Sequence, residues 1–281
     1  MRWLVTGAGG MLGQDLVRRL TQDGHEVTAA ARAQLDISDQ AAVADAVPGH
    51  DVVVNCAAWT AVDDAETHEA DALLSNAVVP DLLARAARSA GARIVQVSTD
   101  YVFDGVATTP YPEDGALAPV SAYGRTKAAG EWAVRASAPD HLDVRTAWLY
   151  GAGGPCFPKT IARVARERGG LDVVADQVGQ PTWTVDLADV VVRLVAAGAP
   201  SGTYHGTSSG SASWHDFAQA VVGAAGLDPA IVRPTTSEAF VRPAPRPAYS
   251  VLGHDAFARA GVAPIGGWRE RWDVAAPTVL A

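Results

Sequence analysis

Tyr123 and Lys127, in the run Tyr123-Gly124-Arg125-Thr126-Lys127, stand one helical turn apart, so a helix would present both side chains on one face. A free phenol ionises near pH ~10, too high for efficient proton exchange at neutral pH. A neighbouring ammonium favours the phenolate, and bringing it to ~7 takes about 4 kcal/mol of differential stabilisation. Lysine usage points to the same place, because Lys127 and Lys159 are the only lysines beside a majority of arginines. Arginine is a planar, permanently charged fork, whereas lysine is a compact ammonium whose pKa moves readily. By spacing alone, a surface aromatic beside a surface charge is the stronger reading. The preceding run, Val95-Gln96-Val97-Ser98-Thr99-Asp100-Tyr101-Val102-Phe103, shifts that balance. A hydroxyl at the carboxyl end of such a strand can hydrogen-bond a carbonyl oxygen that Tyr123 protonates, forming an electrophilic clamp over a hydride acceptor.

Such a clamp needs rigid elements, and the chain supplies their pattern. Apolar runs at Trp3–Thr6, Val27–Ala31, Val52–Cys56, Ile94–Ser98 and Asp143–Thr146 alternate with helical spacing such as Met11–Leu20 and Val78–Ser89. The expected class is α/β, a Rossmann-type doubly wound parallel sheet with a smaller C-terminal substrate-binding lobe. From Gly151 onward the chain is richer in Gly and Pro loops, notably Arg242–Pro247. The expected division is a dinucleotide-binding domain over 1–152 and a mainly substrate-binding lobe over 153–281. Segments around 176–204, with a helix over Asp186–Ala197, return to the first domain.

The opening Leu4-Val5-Thr6-Gly7-Ala8-Gly9-Gly10-Met11-Leu12-Gly13 sets a glycine turn between strand and helix. Gly7 suits the tight turn, Gly10 a close approach of backbone to a pyrophosphate, and Gly13 tight helix–sheet packing. The phosphate would rest on the helix N-terminus, so Gly7, Gly10, Met11, Leu12 and Gly13 are candidate dinucleotide contacts. The second strand ends Ala29-Ala30-Ala31-Arg32, without the acid that selects a free ribose hydroxyl. Arg32 can meet a 2′-phosphate, which makes NADPH the expected cofactor and NADH the alternative; a solvated Arg32 is the competing reading. Asp36 and Ile37 are placed to flank the adenine. Ala58, Trp59 and Thr60, after the third strand, are candidates for the nicotinamide-ribose side, and Val97, Tyr123 and Lys127 are further candidate cofactor contacts; Trp59 serves equally well as a packing residue.

Composition excludes several other classes. At 48% hydrophobic and 19% charged residues the chain is not disordered, and a net charge of −9 without a basic cluster argues against a nucleic-acid surface. Cys56 and Cys156 are too few for a disulfide scaffold or a cysteine metal site. Met1–Gly7 runs directly into strand and turn and no apolar stretch is long enough to span a bilayer, so a leaderless cytoplasmic enzyme is expected.

Ser98-Thr99-Asp100 with Tyr123 and Lys127, behind Thr6-Gly7 and the glycine turn, resembles the extended short-chain dehydrogenase/reductase superfamily. Within it, the run from Ser98 to Gly105 is similar to dTDP-4-dehydrorhamnose reductases. So are Val54-Asn55 through Ala61-Val62-Asp63, Arg145 to Tyr150, Asp176 to Thr182, and Arg246-Pro247. The resemblance spans nearly the whole chain and extends to dihydrostreptose-type relatives. It implies that Thr99 and Tyr123 hold the C4 keto oxygen of a dTDP-4-keto-6-deoxysugar while NADPH delivers hydride to C4. It further implies that Lys127 binds the nicotinamide ribose and acidifies Tyr123. Asp100 and Trp148 would contact substrate, although Trp148 is equally a packing candidate, and Arg246 would serve the diphosphate or the substrate lobe.

One departure bears on assembly. Some relatives bridge a dimer with magnesium through glutamates, and Val185 occupies one of those positions while Asp15 keeps a carboxylate at another. No metal is expected, and the assembly is read as monomer or homodimer. Lys159 opens a helix, as a phosphate contact or, more simply, a solvated helix end; His205, His215 and His254 lack metal-ligand spacing. A sugar-nucleotide dehydratase or epimerase is the rival enzyme, but dehydratases resemble Thr-Asp-Glu where this chain has Thr99-Asp100-Tyr101. A non-catalytic module like the regulatory subunit of methionine adenosyltransferase is the rival from another class, disfavoured by Thr99-Asp100 and Trp148.

Overall fold

The apolar runs become the strands of one parallel sheet: β1 (Arg2–Thr6), β2 (Glu26–Ala30), β3 (Val52–Asn55), β4 (Arg93–Thr99) and β5 (His141–Thr146). A sixth strand, β6 (Gly202–His205), arrives from much later in the chain. The computed structural model describes residues 1–281 and orders the sheet β2-β1-β3-β4-β5-β6. Winding reverses between β1 and β3, the switch point at whose carboxyl edge an open α/β sheet binds ligands. Thr6 is in register with Asn55, Asn55 with Gln96, and Thr99 with Thr146, so the functional strand ends form one rim.

Helices cover both faces, which is why the strands are apolar almost without alternation. Trp3, Val5, Val52 and Val54 face α1 (Met11–Gln22), while Leu4, Val53 and Ile94 face α2 (Gln40–Ala46), α3 (Val79–Ala90) and α4 (Ala122–Ser137). Leu12, Leu16 and Leu20 recur every fourth residue along α1 and form its core stripe. Truncating the fully buried Leu16 to Ala would cost about 2–5 kcal/mol.

After α5 (Phe157–Arg168) the chain forms α6 (Thr184–Ala196), whose Leu187, Val190, Val191 and Leu194 enter the same core as α1, and then β6 beside β5. Residues 184–205 thus complete the first sheet. A second core gathers Tyr150, Ile161, Trp183, Phe217 and Trp272 around α5, α7 (Trp214–Ala224) and α8 (Trp268–Val279). There the short strands Leu171–Val174 and Val232–Thr235 run parallel. Arg271 of α8 grips Asp186 of α6 with two hydrogen bonds, 2.9 and 2.7 Å, joining the two cores.

Candidate active site

The carboxyl ends of β1, β3, β4 and β5 open into a cavity of about 610 Å³. Its wall brings together Gly7, Gly10, Met11, Leu12, Gly13, Ala58, Thr60, Val97, Thr99, Asp100, Tyr123, Lys127 and Trp148. Gly7 adopts φ +67°, and a Cβ there would lie 2.6 Å from the Ala57 nitrogen; one on Gly13 would lie 2.3 Å from the Gly7 carbonyl. Only glycine lets this turn close against both β3 and its own helix. The first turn of α1 carries no acidic residue and no side-chain cap, leaving its N–H groups to an anion.

Helix α4 is started by Ser121, whose Oγ accepts the Gly124 amide at 3.1 Å. A Cβ on Gly124 would stand 2.2 Å from the Tyr101 carbonyl, so this glycine allows the helix to press on the end of β4. The ring of Tyr123 thereby meets Tyr101 edge to face at 5.5 Å and lies beside Thr99. Thr99 is itself oriented: its hydroxyl accepts the Tyr101 amide at 3.3 Å and donates to Asp100 Oδ1 at 2.9 Å. Asp100 Oδ2 is buried without a protein partner, and burial lifts this carboxyl to about 6.

Lys127 is only 3% exposed and donates to the Val97 carbonyl at 2.6 Å. Burial lowers its pKa to about 8, against support from the charges of Glu131 and Asp143. Tyr123 departs from the expected acidification. Burial raises the phenol to about 12, with Asp100 adding to the rise and the Thr99 hydroxyl opposing it. Withdrawal from water disfavours the phenolate more than its neighbours favour it, so the protein alone holds a neutral acid at this position.

The remaining candidates lie elsewhere. Arg32 is exposed outside the cavity; Asp36 turns its carboxylate onto Ser38, accepting from the amide at 3.0 Å and the hydroxyl at 2.6 Å; Ile37 packs on the α2–α3 core. Trp59 is also off the cavity wall, its indole donating to the Ala61 carbonyl at 3.3 Å. Trp148 lines the cavity and also stacks on Trp214 at 3.6 Å, from a backbone φ of +47°. Arg246 pairs with Asp63 at 2.8 Å and faces a second cavity, about 680 Å³, reached past Tyr101. Lys159 donates to the Ala152 carbonyl at 2.7 Å rather than ending in solvent.

Val185 packs into the second core, and Asp15 accepts from Thr184 at 2.5 Å and Arg18 at 2.7 Å. No three His, Cys, Asp or Glu side chains gather in a group that could hold a metal ion. No helix is long and apolar enough to cross a membrane.

Sequence reasoning missed several side chains. Asn76, on a π-type turn before α3, exchanges hydrogen bonds with the Trp59 amide (2.9 Å) and carbonyl (3.2 Å) and donates to Thr126 at 3.0 Å, pinning the loop after β3 to α4. Asn55 accepts from Thr6 at 2.7 Å and donates to Gln96 at 2.9 Å, a polar chain running under the rim. The second cavity adds Arg168, Arg233, Arg242, Phe157, Trp214 and Phe240. A clue to Asn76 lay in its polarity within an otherwise helical apolar stretch.

Comparison with known proteins agrees with this geometry. Residues 1–278 match the family described as RmlD substrate binding domain. A probable dTDP-4,6-dihydroxy-2-methyloxan-3-one 4-ketoreductase of Streptomyces antibioticus is 52% identical over 100% of this chain and 96% of its own length. The crystal structure of a dTDP-4-dehydrorhamnose reductase from Clostridium acetobutylicum superposes with a TM-score of 0.96 at 42% identity, covering 100% of both chains. That of the Bacillus anthracis dTDP-4-dehydrorhamnose reductase, in complex with NADP, gives 0.94 at 35% identity over 98% of each chain. With its glycine turn, its Tyr123/Lys127 pair and a match that runs almost end to end, the chain belongs to the RmlD substrate binding domain family, the dTDP-4-dehydrorhamnose reductase family its motifs resemble.

Proposed function

We propose that this chain is an NADPH-dependent reductase of the C4 keto group of a dTDP-4-keto-6-deoxysugar, working in the cytoplasm as a monomer or homodimer. The observation that carries the reading is the single cavity in which Tyr123, Lys127 and Thr99 converge beneath the glycine turn. The residues fit the cofactor: the turn has no room for a side chain at Gly7 or Gly13, the α1 N-terminus is free of acids, and β2 ends without a carboxylate. Gly7, Gly10 to Gly13, Ala58, Thr60, Val97 and Lys127 would hold it, with Arg32 at the 2′-phosphate; the complex of the Bacillus anthracis relative with NADP supports this choice. NADPH supplies the hydride.

The chain's own residues do the rest. Tyr123 and Thr99 converge on the keto oxygen, and Tyr123, neutral at physiological pH, gives its proton to the oxygen as that atom becomes an alkoxide. The Lys127 ammonium offsets the negative charge then left on the phenol. Asp100 holds the Thr99 hydroxyl in line. Tyr101 stands where a dehydratase would need a further acid; burial raises its pKa, which suits a wall residue rather than a proton carrier.

The second cavity suits the nucleotide. Arg168, Arg233, Arg242 and Arg246 outnumber Asp63 and Asp172 there, and Phe157, Trp214 and Phe240 offer faces to a base. The division follows as 1–152 for the dinucleotide and 153–281 mainly for substrate. The test is loss of NADPH absorbance when purified protein meets a panel of dTDP-4-keto-6-deoxysugars, with product configuration read by NMR. Cofactor binding without turnover on any of them would overturn the reading.

A further inference from the structure

Behind Lys127, away from the cavity, lies a set of buried charges that the reaction does not use directly. Glu131 sits one turn beyond Lys127 and two beyond Tyr123 on α4, with no exposure to solvent. Its Oε1 accepts from the Ser98 hydroxyl at 2.6 Å and from Arg145 Nε at 2.9 Å, and its Oε2 accepts from Arg145 Nη2 at 2.7 Å. Arg145, 1% exposed on β5, is held in turn by the Glu113 carbonyl at 3.0 Å and by His205 Nε2 at 3.2 Å, with Phe103 beneath its guanidinium at 5.0 Å. His205 donates from Nδ1 to the Gly253 carbonyl at 2.8 Å, and burial keeps it neutral by lowering its pKa to about 3; its Nε2 is therefore free to accept.

We infer that Glu131 is a positioning residue: its carboxylate fastens α4, which carries Tyr123 and Lys127, to Ser98 at the end of β4 and to Arg145 near the end of β5, and so fixes the acid against the Thr99 hydroxyl. The inference rests on the reading of Tyr123 and Lys127 as the proton-transfer pair. Ser98 immediately precedes Thr99, so a bond on its hydroxyl holds the strand end that carries Thr99. Arg145 precedes Thr146 and Trp148, so the same carboxylate reaches the opposite wall of the cavity. Stability alone is a poor explanation, because buried ion pairs are often replaceable by apolar residues at little net loss. Direction is what a bidentate fork adds.

Glu131 also sets the field at Lys127. The groups facing this region are Cys56 after β3, Lys127, Glu131 and Arg135 from α4, Gln96 and Ser98 from β4, Asp143 and Arg145 from β5, and Thr203 and His205 from β6. Asp143 is fully buried, neither of its oxygens has a hydrogen-bond partner, and Arg135 stands 3.7 Å away. Burial and then the Glu131 charge raise the pKa of Asp143, and of the two carboxyls that support the Lys127 ammonium Glu131 contributes more.

The experiment compares Glu131→Gln with the native enzyme and with Tyr123→Phe, measuring turnover, KM, NADPH affinity by fluorescence titration, and the pH profile. Glu131→Gln should lower kcat by roughly 10–100-fold, the scale of a misplaced reacting group. NADPH affinity should stay within about threefold, and the alkaline fall in activity should begin at lower pH because Lys127 has lost a supporting charge. Native kcat and an unmoved alkaline limb in Glu131→Gln would overturn the inference. Should that variant fail to fold, Glu131→Met/Arg145→Met removes both charges without orphaning either, and native kcat in that folded variant would overturn it equally. Native turnover in Tyr123→Phe would instead refute the proton-transfer reading on which it rests.

Discussion

The two cavities meet at Tyr101, yet they are built from different materials. The first is walled by strand ends, a glycine turn and the opening turns of two long helices. The second takes one face of α5, the short strand Leu171–Val174 and side chains from loops such as Phe240, Arg242 and Arg246. On the proposed reading, chemistry that tolerates little displacement sits on the rigid rim, and recognition sits where the chain is irregular. The proposed contrast is compatible with relatives named for different substrates sharing one fold: the Streptomyces antibioticus 4-ketoreductase and the Clostridium acetobutylicum dehydrorhamnose reductase both match this chain over its full length.

The sharpest way to break this division is at the rigid rim. Tyr123→Phe removes the proposed proton donor and should reduce turnover by about 10³-fold, within the range for a positioned acid. Its NADPH affinity should barely move, since the lost hydroxyl is the one assigned by the proposal to the keto oxygen. A large loss of cofactor binding with residual turnover would mean that the two functions are not separated as drawn.

The second cavity should respond in the opposite sense. Arg242 is exposed there and makes no ion pair, unlike Arg246 with Asp63 and Arg233 with Asp172. Arg242→Ala should therefore weaken binding of the nucleotide sugar and leave the fold intact. A lost charge-assisted hydrogen bond of about 1.5–3 kcal/mol corresponds to a KM raised roughly 10- to 100-fold. Steady-state kinetics with both substrates varied would show it, and a change confined to NADPH would place the cofactor in the wrong cavity.

How much of this was legible depended on range along the chain. The starts and ends of β1 to β4, the glycine turn and the Tyr123/Lys127 face are local patterns, and period and turn chemistry reveal them. Asn76 reaching Trp59 and Thr126, or Arg145 reaching Glu131, His205 and Glu113, joins residues far apart in sequence and leaves no period to read. Resemblance to a family found Arg246 but not its partner's purpose: Asp63 clamps the Pro-rich loop by accepting both Arg246 and the Ala244 amide. The sign of the Tyr123 shift was missed for a related reason. A motif shows which charge is near, whereas desolvation depends on everything else that surrounds the phenol.

A pH titration sharpens the account of the rim further. Lys127 is charged below its pKa of about 8 and neutral above it. The charged form offsets the developing phenolate, so kcat/KM should fall as pH rises through about 8. The fall should move upward in Lys127→Arg, because a guanidinium keeps its charge throughout. A profile flat to pH ~10, where a free lysine begins to titrate, would show that the ammonium is not what the free enzyme needs.

The smallest expected effect concerns what the rigid rim costs the fold. Lys127 is buried with one hydrogen bond, and its pKa has dropped to about 8. Against an unfolded value near ~10.4, that shift is about 3 kcal/mol of destabilisation at neutral pH. Lys127→Met removes the charge, keeps much of the volume and leaves the Val97 carbonyl its second donor, Gln96 Nε2 at 2.9 Å. The variant should be inactive yet melt several degrees higher at pH 7, at roughly 2–4 °C per kcal/mol for a chain of this size. The sign with pH follows from proton uptake. Between about 8 and ~10.4 the native state has released its proton while the unfolded state still binds one, so the native enzyme gains stability there and the gap closes. A lower melting temperature for Lys127→Met at pH 7, measured by calorimetry, would show that Glu131 and the Val97 carbonyl more than offset the burial.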